Sequence, residues 1–312
     1  MKKNILLIAA FVASSFYTNA QSINFEADQL YPEGIAYNKI TDEFLVSSLK
    51  YGKIGKVNRD GTYTTFITDS LLISTNGLHV DNKTNTLFVC VTDPGVSPLT
   101  STKTQLKLAK VIAYDLTDGH RKFVVDLQPL NKDNGNFAND ITADTVGNLY
   151  VTNSLSPIIF KINKKGVPSI FASSQTLWKQ EGFNLNGIVY HPNGFLIVAQ
   201  SNTGVLYKID CKDPSNIRHI MCPPIVGADG LVLNGKNELL VISNKDKKVF
   251  KLVSNSDWTN ADQIGSTDCE QSGPTTGVYV KGSYYVLNAK LNELFDPTQP
   301  KSKVFTIQEI KF

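Results

Sequence analysis

Phe137–Asn153 reads FANDITADTVGNLYVTN. Two polar residues, Asn139 and Asp140, open the stretch, and the alternating run Ile141–Ala143 follows. Asp144, Gly147 and Asn148 supply turn chemistry, and Leu149–Thr152 alternates again on the way back. Alternation at period two on both sides of turn residues predicts an antiparallel hairpin. A polar pair stands at its mouth.

The same grammar recurs. Segments open at Glu33-Gly34-Ile35, Asn76-Gly77-Leu78, Asn139-Asp140-Ile141, Asn186-Gly187-Ile188, Asp229-Gly230-Leu231 and Thr276-Gly277-Val278, so the intervals are 43, 63, 47, 43 and 47 residues. Repeats of about 40–50 residues, each with room for four short strands, predict an all-β fold, a six-bladed β-propeller. In the first repeat the strands are expected at Gly34–Tyr37, Glu43–Ser48, Lys53–Val57 and Thr62–Ile67, with Asn58–Gly61 as a hairpin turn. The long interval holds an insert, Asp93–Lys107, rich in Pro, Ser and Thr. Long inserts in compact domains are commonly functional loops. No stretch shows sustained helical periodicity; Ser174–Lys179 is expected to form at most one short turn.

The last repeat supplies only three strands: Thr276–Val280, Ser283–Leu287 and Lys303–Lys311. An orphan alternating strand, Ser22–Asp28, precedes the first repeat. Pairing the two closes the ring and removes bare strand edges, so this is the expected closure.

Met1–Ala20 reads as a secretory leader. Lys2 and Lys3 precede the apolar run Ile5–Val12, and Thr18-Asn19-Ala20 offers small residues before Gln21. The expectation is export to the periplasm, the cell exterior or a secretory lumen, with residues 21–312 forming one propeller domain. No other apolar run is long enough to span a membrane. The net charge of +3 becomes +1 without Lys2 and Lys3, and no basic patch of the kind nucleic acid needs is visible. Lys245–Lys248 is the one dense charge run and fits a hairpin tip. Cys90, Cys211, Cys222 and Cys269 match no zinc spacing. Cys90 belongs to an apolar strand, and Cys211 and Cys222 flank a plausible hairpin, which leaves a disulfide between them open.

In a propeller the first strand of each blade lines the central channel. Glu33, Asn76, Asn139, Asn186, Asp229 and Thr276 then converge as six oxygen-bearing side chains. The second strands run back to the same face and are expected to add Ser48, Asp93, Asn153, Gln200, Asn244 and Asn288 to the mouth. Carboxylates and amide oxygens without His or Cys make a donor set for a hard cation, calcium first and another divalent ion second. Zinc or copper would recruit nitrogen or sulfur. Crowded carboxylates also need a cation, because they repel without one.

The segments YPEGIAY, FANDITAD, LNGIVYHPNG and GADGLVL resemble the SMP-30/gluconolactonase-like family of six-bladed propellers, also called calcium-dependent phosphotriesterase-like. The resemblance runs from about Leu30 to Phe295. It implies that Glu33, Asn139, Asn186 and Asp229 hold a metal and that Asp229 acts as general base. It also implies that Asp140 holds a second, structural calcium, with Asn76 as another second-metal or supporting residue. The sequence departs from paraoxonases, whose two catalytic histidines are replaced here by Asn76 and Asp93. It also lacks the arginine that sugar-lactone hydrolases place ahead of Asn139.

The expected function is therefore a metal-dependent hydrolase of lactones or related esters. Asp229 or Asp93 would take a proton from water, and Asn153, Gln200, Asn244 and Asn288 would meet the substrate. The alternative is a non-enzymatic propeller that binds a ligand or partner over a structural calcium. A Ser-His-Asp hydrolase is disfavoured, since no G-x-S-x-G elbow occurs and His79 and His191 fall at the far ends of first strands. Leu291, Leu294 and Phe295 in NAKLNELF are expected to wall a pocket or to pack the rim.

Overall fold

A computed structural model describes residues 22–178, 181–255, 257–269 and 273–312. The expected leader Met1–Ala20 lies outside the described residues, as does Lys179. Among the described residues the chain forms six four-stranded antiparallel sheets arranged as the blades of a β-propeller. Within each of the first five blades the strands follow sequence order from hub to rim. The first-blade strands are Ile35–Asn38, Glu43–Val46, Ile54–Val57 and Tyr63–Ile67, within one or two residues of expectation.

The ring closes as predicted. Ser22–Glu26 pairs antiparallel with Val304–Ile310 and becomes the outer strand of the last blade. Phe25 lies opposite Phe305, and Tyr31 meets the Phe305 ring edge-on at 5.5 Å. These aromatics join Phe44, Leu287 and Ile307 in one core shared by the first and last blades. Polar contacts cross the same seam: Arg59 donates to the Tyr285 hydroxyl at 3.0 Å, and Lys281 donates to Asp42 at 2.8 Å.

Innermost strands of neighbouring blades touch all round the hub. In blades two to six this strand carries a β-bulge where the repeat opens: between Thr75 and Leu78, Ala138 and Ile141, Leu185 and Ile188, Ala228 and Leu231, and Pro274 and Gly277. A bulge adds one residue, bends the strand and re-aims a side chain. The glycine after the opener has a separate reason. A β-carbon on Gly34 would stand 2.1 Å from the Asn76 carbonyl oxygen, and one on Gly187 would stand 2.3 Å from that of Asp229. Both glycines lie where the next blade's opener packs.

The insert is ordered. Asp93 accepts hydrogen bonds from Gly95 N, Thr100 Oγ1 and Thr104 Oγ1 at 2.9, 2.6 and 2.7 Å. Two short helical elements were not anticipated, a 3-10 turn at Gln128–Asn131 and a helix at Leu291–Phe295. Cys211 and Cys222 are both free thiols that pack against different core clusters, so the disulfide left open by the sequence is not formed. Cys90 is core, as expected. Among the described residues no helix is long and apolar enough to cross a membrane.

The hub geometry gives the first prediction. Gly34→Ala should cost about 1–3 kcal/mol or more, because the clash is with backbone that cannot rotate away. Gly166→Ala, where no atom lies within 4 Å of the added carbon, should cost only its positive-φ strain. Denaturant midpoints of the two variants check this; equal losses would show that the hub has slack.

Candidate metal centre

Five of the six openers share one cavity. Glu33, Asn76, Asn139, Asn186 and Asp229 line a space of about 270 Å³ at the hub, and Asn244 and Ser201 add polar groups at its edge. Leu49, Phe137, Phe183, Leu291, Asn292 and Phe295 complete the wall. The four residues of the expected ligand set come from four different blades, and each is at least nine-tenths buried.

The hydrogen bonds around them fix orientation. Asn139 Nδ2 donates to Ser154 Oγ at 2.8 Å, while its Oδ1 is buried with no partner among the described residues. Asn244 Nδ2 donates to Asp229 Oδ2 at 2.9 Å, and the Asn186 side chain also hydrogen-bonds to Asp229. Amides held at nitrogen and offering oxygen suit a hard cation. The electrostatics agree. Burial, then the charges of Asp229 and Asp140, push the Glu33 carboxyl well above the ordinary glutamate range. Burial pushes Asp229 up to about 7 against the opposing help of Asn244, and Asp140 up to about 6. Three carboxyl groups crowded in a low-dielectric hub resist ionising together, and a divalent cation relieves that strain.

Other predicted residues lie elsewhere. Asp140 lines a second cavity, of about 270 Å³, at the other end of the innermost strands, with His79. Its oxygens accept from Ile141 N at 2.8 Å and Ile188 N at 3.2 Å. Thr276 lines that second cavity too. His191 is buried away from the first cavity, its ring nitrogens engaged by the Lys236 carbonyl and Asn193 N.

Asn153, Gln200 and Asn288, expected at the mouth, do not line it. Asn153 Oδ1 accepts from Phe137 N and Leu155 N, and Gln200 Oε1 accepts from Tyr207 and Thr203 hydroxyls. Asn288 Nδ2 donates to Gln308. The reason is parity. These three pair with the residue just before each bulge, Ala138, Leu185 and Pro274. The next residue along faces the hub, and a one-residue step reverses the face. Ser154, Ser201 and Asn244 occupy that next position. In the second blade Thr75 pairs with Val91, so Thr92 holds that place; Asp93 lies one residue further on, and its oxygens are committed to the insert. Ser48 likewise turns away, its hydroxyl donating to the Leu30 carbonyl.

The aromatic part of the wall was missed. Phe137 packs edge-on against Phe183 at 5.0 Å, and both precede an opener closely, in FAN and FNLN. An aromatic just ahead of the opener in two adjacent repeats was the available signal. Leu291 and Phe295 do wall the cavity, whereas Leu294 packs against the core of the first and last blades.

No protein-family model matches the sequence. No curated protein matches it either. Solved structures do match in shape. The major allergen of Malassezia sympodialis superposes with a TM-score of 0.74 at 17% identity, covering 92% of this chain and 95% of that one. A gluconolactonase of Xanthomonas campestris gives 0.65 at 14% identity, covering 94% and 90%. The virginiamycin B lyase of Staphylococcus aureus gives 0.60 at 12% identity, covering 94% and 100%. At these identities the likeness establishes the propeller fold and leaves the chemistry to the site.

The crowded carboxyls set a pH prediction for metal-free protein. Their folded pKa values lie above the unfolded ones, so their contribution is fully present below about pH 4. It is lost as pH rises through about 6 for Asp140 and about 7 for Asp229. Melting temperature in chelator should fall across that window. Added calcium should restore it, by about 2.7 kcal/mol at a hundredfold excess over Kd. Glu33→Gln should flatten the calcium response; an undiminished response in that variant would place the ion elsewhere.

Proposed function

We propose that this protein is an exported, calcium-dependent hydrolase of lactones or related esters, akin to the SMP-30/gluconolactonase-like propellers. The observation that carries the reading is Asn139 Oδ1. It is a buried amide oxygen held in place through Ser154 and left without a partner among the described residues, on the wall that also carries Glu33, Asn186 and Asp229. Such an oxygen is costly unless something meets it.

Glu33, Asn139, Asn186 and Asp229 would hold the ion. Calcium there supplies Lewis-acid polarisation of an ester carbonyl and stabilises charge developing on its oxygen. Asp229 takes the proton of the attacking water. The Asn244 hydrogen bond orients its carboxylate. Phe137, Phe183, Leu291 and Phe295 cover the apolar body of the substrate. Asp93 has no part, because its carboxylate serves the insert. Export rests on the leader-like Met1–Ala20 and suits a calcium site, since extracellular modules function with affinities of about 10⁻⁴–10⁻³ M.

Two results test the reading. Turnover of a lactone panel should vanish with chelator and return with calcium. Asp229→Asn should lose about a hundredfold or more in kcat while keeping the circular-dichroism spectrum of the parent. Full activity in that variant would remove Asp229 from the chemistry. Calcium binding with no hydrolysis of any lactone or ester would leave a ligand-binding propeller instead.

A further inference from the structure

We propose that Asn76 selects the substrate by pairing with a hydroxyl–carbonyl edge on a small, otherwise apolar lactone. The substrate class rests on the hydrolase reading of the cavity; the pairing itself does not.

Asn76 is fully buried, sits on the bulge of Ser74–Asp81, and lines the hub cavity. Neither its Oδ1 nor its Nδ2 has a partner among the described residues. The neighbouring amides differ. Asn139 is held at nitrogen by Ser154, while Asn244 and Asn186 bond to Asp229. An amide that serves a cation needs only its oxygen and is fixed by its other end. Asn76 is open at both ends, so it suits a partner with an acceptor and a donor side by side.

A carbonyl with a hydroxyl on the next carbon has that edge. The hydroxyl donates to Oδ1, and the carbonyl oxygen accepts from Nδ2 through one of its two lone pairs. A buried amide left unmet by an analogue without the hydroxyl discriminates strongly, because its desolvation is then uncompensated. The rest of the wall sets the remainder of the molecule. Leu49, Phe137, Phe183, Leu291 and Phe295 favour hydrocarbon over a chain of further hydroxyls, and about 270 Å³ admits a single small ring.

Pantolactone, an α-hydroxy lactone with two methyl groups, is the probe, with β,β-dimethyl-γ-butyrolactone as the analogue lacking the hydroxyl and gluconolactone as the polyhydroxylated comparison. Pantolactone should exceed both others in kcat/KM by about tenfold or more. Asn76→Leu, which keeps the shape, should bring the ratio between the first two near one; Asn76→Ser serves if the leucine variant does not fold. Equal kcat/KM for the two lactones in the parent, or a ratio that survives both variants, overturns the proposal. Binding gives a readout free of turnover. Calorimetry on calcium-loaded protein should find α-hydroxycyclopentanone about tenfold tighter than cyclopentanone, with the preference lost in Asn76→Leu. Equal affinities overturn the role of Asn76 whether or not any lactone is hydrolysed. A preference without hydrolysis keeps that role and removes the hydrolase.

Discussion

The hub is built by backbone pressed against backbone. Gly34, Gly77 and Gly187 each lie where a β-carbon would meet the next blade's opening carbonyl at 2.1 to 2.6 Å. Only a residue without a side chain permits that approach. The third blade has Asp140 in place of the glycine and uses its carboxylate to accept the Ile188 amide of the following blade. These contacts set the bore of the channel. The bore in turn decides that Glu33, Asn76, Asn139, Asn186 and Asp229 share one wall rather than stand apart.

Such crowding is unfavourable by itself. Burial raises the proton affinity of carboxyl groups from three blades, the charges of Asp229 and Asp140 raise that of Glu33 further, and the amide oxygens of Asn76 and Asn139 are left without donors among the described residues. A fold under selection for stability alone would fill that space with aliphatic side chains. That the chain instead keeps oxygen at the hub, on five blades, is the physical reason to look for an ion there. Structures as far apart as a fungal allergen and a bacterial lyase share the wheel. The wheel therefore carries no chemistry of its own, and the argument for function has to rest on these side chains.

Most of the architecture was legible because a propeller repeats itself. Six copies of one hairpin grammar, and an orphan strand with a vacancy to fill, leave few alternatives. The hub residues were legible for the same reason, since each opens a repeat. The far strand of each hairpin was not. Counting along it without the bulge gives Asn153, Gln200 and Asn288, and the extra residue in the inner strand shifts the hub-facing place one residue on, to Ser154 and Ser201 in two of these blades; Asn244, expected at the mouth, already holds that place in its own. Asp93 lies one residue past the hub-facing place in its blade, and the insert that it anchors was invisible until Thr100 and Thr104 folded back onto it. The glycines after the openers could not be explained from sequence, because their reason is a neighbour distant along the chain. The Leu291–Phe295 helix is too short to leave a periodic trace.

Closure by the first strand also orders events in time. Phe25 meets Phe305, so the closing strand waits for a partner about 280 residues later in the chain. At ordinary synthesis rates that interval is roughly a quarter of a minute to a minute. Throughout it the unfinished wheel is a horseshoe with an uncovered flank, greasy with Tyr31, Phe44 and Phe25. Such chains are therefore most vulnerable to misassociation until Val304–Ile310 arrives, and whatever shelters them must hold on until then.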